Sequence, residues 1–231
     1  MAQVAIITGA GRGIGRACAH ELAQKGYGIV AVARTQSDLD ETCRTIPDSL
    51  VIVADITDPA VAEQIVKKTI GRFGRLDTIV NSAGLAPALP IEQTSVETWH
   101  SVIDTNLSAV FYLCKAAWPI FRKQKSGVIV NISSLAARDP FPGFAAYGAA
   151  KAGLNLLGLS LAREGDPHNI RVHTIAPAAV ETAMFRKLMD EAQYGRDKTL
   201  DPADIARVVA QCVAGDLRYT SGEVIYVRKS L

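Results

Sequence analysis

Cysteine is scarce in this chain. The four cysteines (Cys18, Cys43, Cys114, Cys212) are scattered along 231 residues without a Cys-x-x-Cys pair. That favours reduced thiols in a cytosolic protein over a disulfide framework. Histidine is equally sparse, with four residues that show no metal-ligand spacing to cysteine or carboxylate, so no metal site is expected. Neither sign of charge dominates. Lysine and arginine total 25 against 23 acidic residues, and a net charge of +2 argues against nucleic acid or an acidic membrane as the main partner. No apolar run approaches the ~20 residues needed to span a bilayer. A strand-like run begins by Val4, leaving no room for a signal peptide. Repeats, low-complexity stretches and linkers are also missing. The expectation is a soluble, cytoplasmic protein forming one domain over residues 1–231.

What the chain does contain is strongly patterned. Tyr147-Gly-Ala-Ala-Lys151 has Ser134 thirteen residues upstream, at the end of an apolar run. A tyrosine hydroxyl titrates near pH ~10 and is a poor acid–base group at neutrality without help. A lysine one helical turn away places its ammonium on the same face, where it favours the phenolate and should lower the tyrosine pKa. A serine hydroxyl then holds a substrate oxygen while the tyrosine exchanges a proton. Ser133 is the rival for the serine role; the thirteen-residue spacing favours Ser134. A lone Tyr-x-x-x-Lys is more often an ordinary exposed helix pair, so the motif needs support from elsewhere.

That support lies near the N-terminus. Val4–Thr8 reads as a buried strand, followed at once by Gly9-Ala10-Gly11-Arg12-Gly13-Ile14-Gly15 and an amphipathic helix to about Lys25. Such a turn lets the backbone approach a pyrophosphate, whose charge sits over free helix amides. Further apolar, β-branched runs recur at Gly28–Ala33, Leu50–Val53, Leu76–Val80, Val128–Ile132, Val172–Ile175 and Val224–Val227. Helical patterns lie between them, including Pro59–Ile70, Ser95–Lys123, Ala145–Ala162 and Pro202–Ala214. This alternation predicts an α/β fold: a single-domain, Rossmann-type doubly wound sheet of about seven parallel strands with helices on both faces. Proline and glycine cluster at Ala83–Pro90 and Asp139–Gly143, which should form loops over the ligand-binding end.

Taken together these motifs resemble the short-chain dehydrogenase/reductase family over nearly the whole chain. The family pattern Thr-Gly-x-x-x-Gly-x-Gly is matched by Thr8, Gly9, Gly13 and Gly15; Asn-Asn-Ala-Gly appears as Asn81-Ser82-Ala83-Gly84. The resemblance implies a catalytic set of Asn106, Ser134, Tyr147 and Lys151. It also implies cofactor contacts at Thr8, Gly9, Gly11, Arg12, Gly13, Ile14, Gly15, Asp55, Ile56, Asn81, Ala83, Gly84, Tyr147, Lys151, Pro177, Val180 and Thr182. Asp55 would meet the adenine, although a helix-capping role is open to either Asp55 or Asp58. Two departures stand out. Ala178 replaces the usual glycine after Pro177, which forbids easy positive φ. The C-terminal Tyr226–Leu231 stops where the family commonly continues with Asp-Gly-Gly.

The end of the second strand carries Ala33-Arg34-Thr35 and no carboxylate before Asp38. An acidic residue there would bind ribose hydroxyls; Arg34, with Thr35 beside it, suits a 2′-phosphate, and Arg12 could add a second positive charge. NADP(H) is therefore expected in preference to NAD(H). Candidate substrate residues are Leu85, Pro87, Leu89, Leu135, Arg138, Phe141, Phe144, Met184 and Phe185, for any of which simple loop packing is an equal alternative. The resemblance implies hydride transfer between the nicotinamide and a carbonyl or secondary alcohol. A 3-oxoacyl thioester linked to an acyl carrier protein ranks first, and a free ketone, sugar or pteridine-type carbonyl second. A non-catalytic NADP sensor ranks last, because such proteins typically lose the tyrosine or lysine. Arg122, Lys123 and Lys125 either meet an acidic carrier or simply complete a helix C-terminus. By resemblance the assembly is a homotetramer or homodimer, paired through helices near Asp104–Lys123 and Ala149–Arg163.

Overall fold

A computed structural model describes residues 2–229; Ser230 and Leu231, which belong to the departing C-terminus, lie outside them. Seven parallel strands form one sheet: β1 (Val4–Thr8), β2 (Gly28–Ala33), β3 (Ser49–Val53), β4 (Thr78–Asn81), β5 (Gly127–Ile132), β6 (Ile170–Pro177) and β7 (Val224–Val227). Their order is β3-β2-β1-β4-β5-β6-β7, so the chain reverses direction across the sheet between β1 and β4. The carboxyl ends of those two strands border the crevice where doubly wound folds bind ligands.

Helices α1 (Gly13–Gln24), α2 (Gln36–Cys43), α3 (Pro59–Phe73), α4 (Val96–Ile103), α5 (Ala109–Gln124), α6 (Ala145–Gly165), α7 (Ala183–Arg186) and α8 (Pro202–Ala214) complete the described chain. Alternation within β1 divides the core. Ala5 and Ile7 face a cluster with Cys18 and Leu22 of α1 and Ile205 and Val209 of α8. Val4 and Ile6 face the opposite cluster, with Ile65 of α3, Leu113 and Phe121 of α5 and Leu154 of α6. Both faces are covered, which is why the strands read as nearly continuous apolar runs. Local chemistry sets several helix ends. Asp58 caps α3 by accepting from the Ala60 amide, and Gly74 closes it at φ 75°. Asp201 and Asp204 form a capping box on α8.

The sequence pattern predicts one helix over Ser95–Lys123. The structure divides it into α4 and α5, joined by a π-helical turn at Asp104–Ser108 that contains Asn106. No helix among the described residues is long and apolar enough to cross a membrane, and no group of three or more metal-ligating side chains gathers among them.

Candidate active site

The glycine loop leaves β1 and enters α1 with little room to spare. Gly9 has φ +66°, and a Cβ there would stand 2.8 Å from the Ala83 Cα; a Cβ at Gly15 would overlap the Gly9 carbonyl oxygen. Arg12, at the N-cap, is extended and makes no side-chain cap, and no acidic residue occupies the first turn of α1. The amides of Gly13, Ile14 and Gly15 therefore face outward without intrahelical acceptors, and the positive end of the helix is uncompensated. That bare cradle at the reversal point of the sheet fits the pyrophosphate of a dinucleotide. The Ile14 side chain packs back onto the core.

Thr8 and Asn81 have structural work within this cradle. The Thr8 hydroxyl accepts from the Ser82 and Ala83 amides at 3.1 and 3.2 Å, tying β1 to the segment after β4. Buried Asn81 donates to the Asn131 side-chain oxygen at 2.9 Å. Their side chains thus shape the loop, and Ala83 and Gly84 form its floor. Helix α2 closes the loop from the other side, a contribution the sequence analysis missed. The Thr42 hydroxyl donates to the Ala10 carbonyl at 3.1 Å. Arg16 donates from Nε to the Gly11 carbonyl at 2.9 Å and pairs with Glu41.

The four proposed catalytic residues converge beside this cradle. Ser134 ends the β5 segment and caps a short 3₁₀ turn, its oxygen accepting from the Ala136 amide at 3.1 Å. Tyr147 and Lys151 are one turn apart on α6, with the Lys151 Nζ 5.7 Å from the tyrosine ring centroid. Buried Lys151 donates to the Ile132 carbonyl at 2.8 Å. Asn106 is fully buried and donates to the Leu85 and Val102 carbonyls at 2.8 and 2.9 Å. Gly84 sits between them: a Cβ there would be 3.1 Å from the Asn106 Oδ1 and 3.9 Å from the Lys151 Nζ. Ser133, the rival serine, is buried and donates to the Asn155 side chain at 2.5 Å, which removes it from the site surface.

The electrostatics differ from the sequence expectation in one respect. Burial pushes the Tyr147 hydroxyl above its ordinary value, and the neighbouring Ser134 hydroxyl only partly offsets this. Burial also lowers Lys151 to about 7. Desolvation of the tyrosine itself is the dominant cause of its shift, so the phenol keeps its proton at neutral pH.

At the adenosine end, Arg12 has a partner that the sequence did not reveal. Arg12 does not point free toward a phosphate: its Nε and Nη2 donate to one oxygen of Asp38 at 3.1 and 2.5 Å. A carboxylate 26 residues away claims it, a pairing that spacing could not reveal. Arg34 is exposed and forms no ion pair among the described residues. Thr35 starts α2 without a side-chain cap. Asp55 accepts from the Thr57 amide and hydroxyl, which hold its carboxyl below the usual range. Helix capping falls to Asp58, and Ile56 leans on the core.

Around the mouth, the loop after β4 and the loop before α6 are tied by the Leu89 amide donating to the Gly143 carbonyl at 3.0 Å. Phe141, Phe144 and Tyr147 follow one another at ring separations of 6.2 and 5.5 Å. Leu85, Phe141 and Met184 are exposed, and Leu135 and Pro87 are half-buried. Two candidates have other partners: Arg138 lies over the Tyr226 ring, and Phe185 packs edge-on against Tyr194. The substitution of Ala178 is accommodated because Pro177 ends β6 and the Ala178 amide continues the ladder to the Val227 carbonyl at 2.9 Å; no positive φ is needed. Val180 bridges to Leu200 through the flanking Ala179 carbonyl and Glu181 amide, so its own amide points the other way. Thr182 caps α7, and its methyl lies 3.2 Å from the position of a Cβ on Gly13. Glu181 anchors the following segment through Arg186, at 2.5 and 2.8 Å, and Thr199, at 3.1 Å.

Comparison with known proteins agrees with this architecture. Residues 3–193 match the family model described as short chain dehydrogenase. A 3-oxoacyl-[acyl-carrier-protein] reductase of Escherichia coli (strain K12) is 35% identical, with 97% of this chain and 95% of that protein aligned. Its counterpart in Staphylococcus aureus (strain Mu50) is 33% identical, covering 98% and 97%. The crystal structure of a levodione reductase superposes with a TM-score of 0.91 at 30% identity, covering 98% of this chain and 96% of that one. The chain belongs to the short-chain dehydrogenase/reductase family of nicotinamide-dependent oxidoreductases.

Proposed function

We propose that this protein is an NADP(H)-dependent carbonyl reductase whose substrate is a 3-oxoacyl thioester. The observation that carries the reading is the meeting of Ser134, Tyr147 and buried Lys151 beside the bare glycine cradle. The nicotinamide, when bound, supplies or accepts the hydride. The protein does the rest by orientation and proton handling. The Ser134 oxygen accepts from the Ala136 amide, and its O–H, which lies beside the Tyr147 hydroxyl, would turn to donate to the substrate oxygen. Tyr147, kept protonated by burial, gives its proton to that oxygen as negative charge develops there. Lys151 in its protonated form would stabilise the phenolate that results, which regains a proton from solvent before the next cycle. Asn106 holds the Leu85 loop at the mouth and the floor beside Lys151.

Arg34 supports the phosphorylated cofactor, since its guanidinium, just past the end of β2, is exposed and forms no ion pair among the described residues. The thioester is favoured by the names of the two curated relatives, and the carrier-linked form by Arg122 and Lys123 in the last turn of α5. The levodione reductase keeps a free carbonyl compound as the second reading. Exposed Phe111 on α5 and Leu156 on α6 suit pairing of two copies, in a homodimer or homotetramer that light scattering would measure. The deciding experiment follows oxidation of NADPH and NADH with an acetoacetyl thioester. Saturable turnover with NADPH favoured is expected. Turnover confined to free ketones would replace the thioester, and a preference for NADH would overturn the role given to Arg34.

A further inference from the structure

The ion pair between Arg12 and Asp38 joins the glycine loop to the first turn of α2, on the side where Arg34 lies free. Its two halves are held unequally. The Arg12 side chain is 63% exposed and that of Asp38 23%. Asp38 is seated against Gly11: a Cβ on that glycine would stand 2.8 Å from the Asp38 Cβ. It also sits at the positive end of α2, where a carboxylate is favoured, and the Asp38 main-chain carbonyl accepts from Thr42 at 2.9 Å. The neighbouring cation, Arg16, is occupied by Glu41 and the Gly11 carbonyl. Arg12 is thus the movable partner and Asp38 the fixed one.

We infer that Asp38 sets the strength of cofactor selection, by competing with the adenosine 2′-phosphate for Arg12. This rests on the NADP(H) reading above and adds a residue to it. A 2′-phosphate recruits Arg34 at once, because nothing must be displaced. To recruit Arg12 it must take the guanidinium from Asp38, and it then faces a bare carboxylate across the same small space. Selection by this site is therefore weaker than two arginines alone would give. An exposed ion pair of this kind alters an equilibrium by about two- to fivefold.

The test uses binding of nucleotide fragments, independent of turnover. Isothermal titration compares 2′,5′-ADP with 5′-AMP on the wild type, Asp38→Asn, Arg12→Gln and Arg34→Ala. Asp38→Asn, which preserves the side chain's shape, should tighten 2′,5′-ADP about two- to fivefold and leave 5′-AMP unchanged. Arg12→Gln should cost the wild type less than twofold in 2′,5′-ADP affinity, because the residue is already engaged, and should abolish the gain in the Asp38→Asn background. An unchanged 2′,5′-ADP to 5′-AMP ratio in Asp38→Asn overturns the inference. So does a tenfold loss from Arg12→Gln alone, which would show Arg12 already serving the phosphate. Failure of the underlying reading looks different: the wild type would bind both fragments alike, and Arg34→Ala would change neither.

Discussion

Replacing Lys151 with methionine should abolish turnover and make the protein more stable. The amine is buried, 4% exposed, and its pKa falls from 10.5 to about 7 because burial disfavours the charge. At about 1.36 kcal/mol per unit, that depression corresponds to about 5 kcal/mol of unfavourable transfer for the ammonium. Methionine has similar length and no charge, but it abandons the bond to the Ile132 carbonyl, which returns about 1–2 kcal/mol. A net gain of about 3 kcal/mol remains, or about 6–12 °C in melting temperature for a chain of this size. The pH dependence identifies the cause. Below pH 7 both folded and unfolded wild type carry the ammonium, and the penalty is complete. Between about 7 and 10.5 the unfolded state binds more protons, so wild-type stability rises with pH and the advantage of the variant shrinks. The buried cysteines act oppositely at high pH, since their folded values are raised, but they lie away from the substitution and cancel in the difference. Scanning fluorimetry of both proteins from pH 6 to 9.5 measures it. A variant less stable than the wild type by the same margin at every pH would refute the reasoning and show that the lysine is held as a satisfied ion.

Tyr147→Phe should lower kcat by about 10²–10⁴ while 5′-AMP and 2′,5′-ADP still bind, measured by steady-state kinetics and titration calorimetry. Gly15→Ala forces a methyl into the Gly9 carbonyl; dinucleotide binding should disappear, and retained binding by calorimetry would show that the loop can yield. His173 is depressed to about 4, chiefly by burial, so the unfolded state binds its proton first as pH falls from 6.5. Stability should drop across that window, and His173→Gln should flatten the slope in denaturant titrations at pH 4.5 and 6.5.

The strands were legible because both faces of the sheet are covered, and buried parallel strands show as nearly continuous apolar runs such as Val128–Ile132, interrupted only by Asn131. The glycine loop and the Ser134, Tyr147, Lys151 spacing were legible because each chemistry demands particular residues at short range. What sequence could not supply was set at long range. Helix α2 is polar along Gln36–Cys43, and its value lies in Asp38, Glu41 and Thr42 reaching the glycine loop. The commitment of Arg12 follows from that contact. Likewise, the direction of the Tyr147 shift depends on how deeply the tyrosine itself is desolvated, which no spacing reports.

The π-helical turn at Asp104–Ser108 sets the most regular helix against the working one. A π turn holds one residue more than an α turn, and each helical residue advances the chain by about 100°. Deleting one residue there would let α4 and α5 fuse into a single smooth helix with a complete bonding ladder. It would also swing the Asn106 carboxamide off Leu85 and release the loop over the site. The irregular turn thus couples the geometry of one long helical segment to the position of the Leu85 loop.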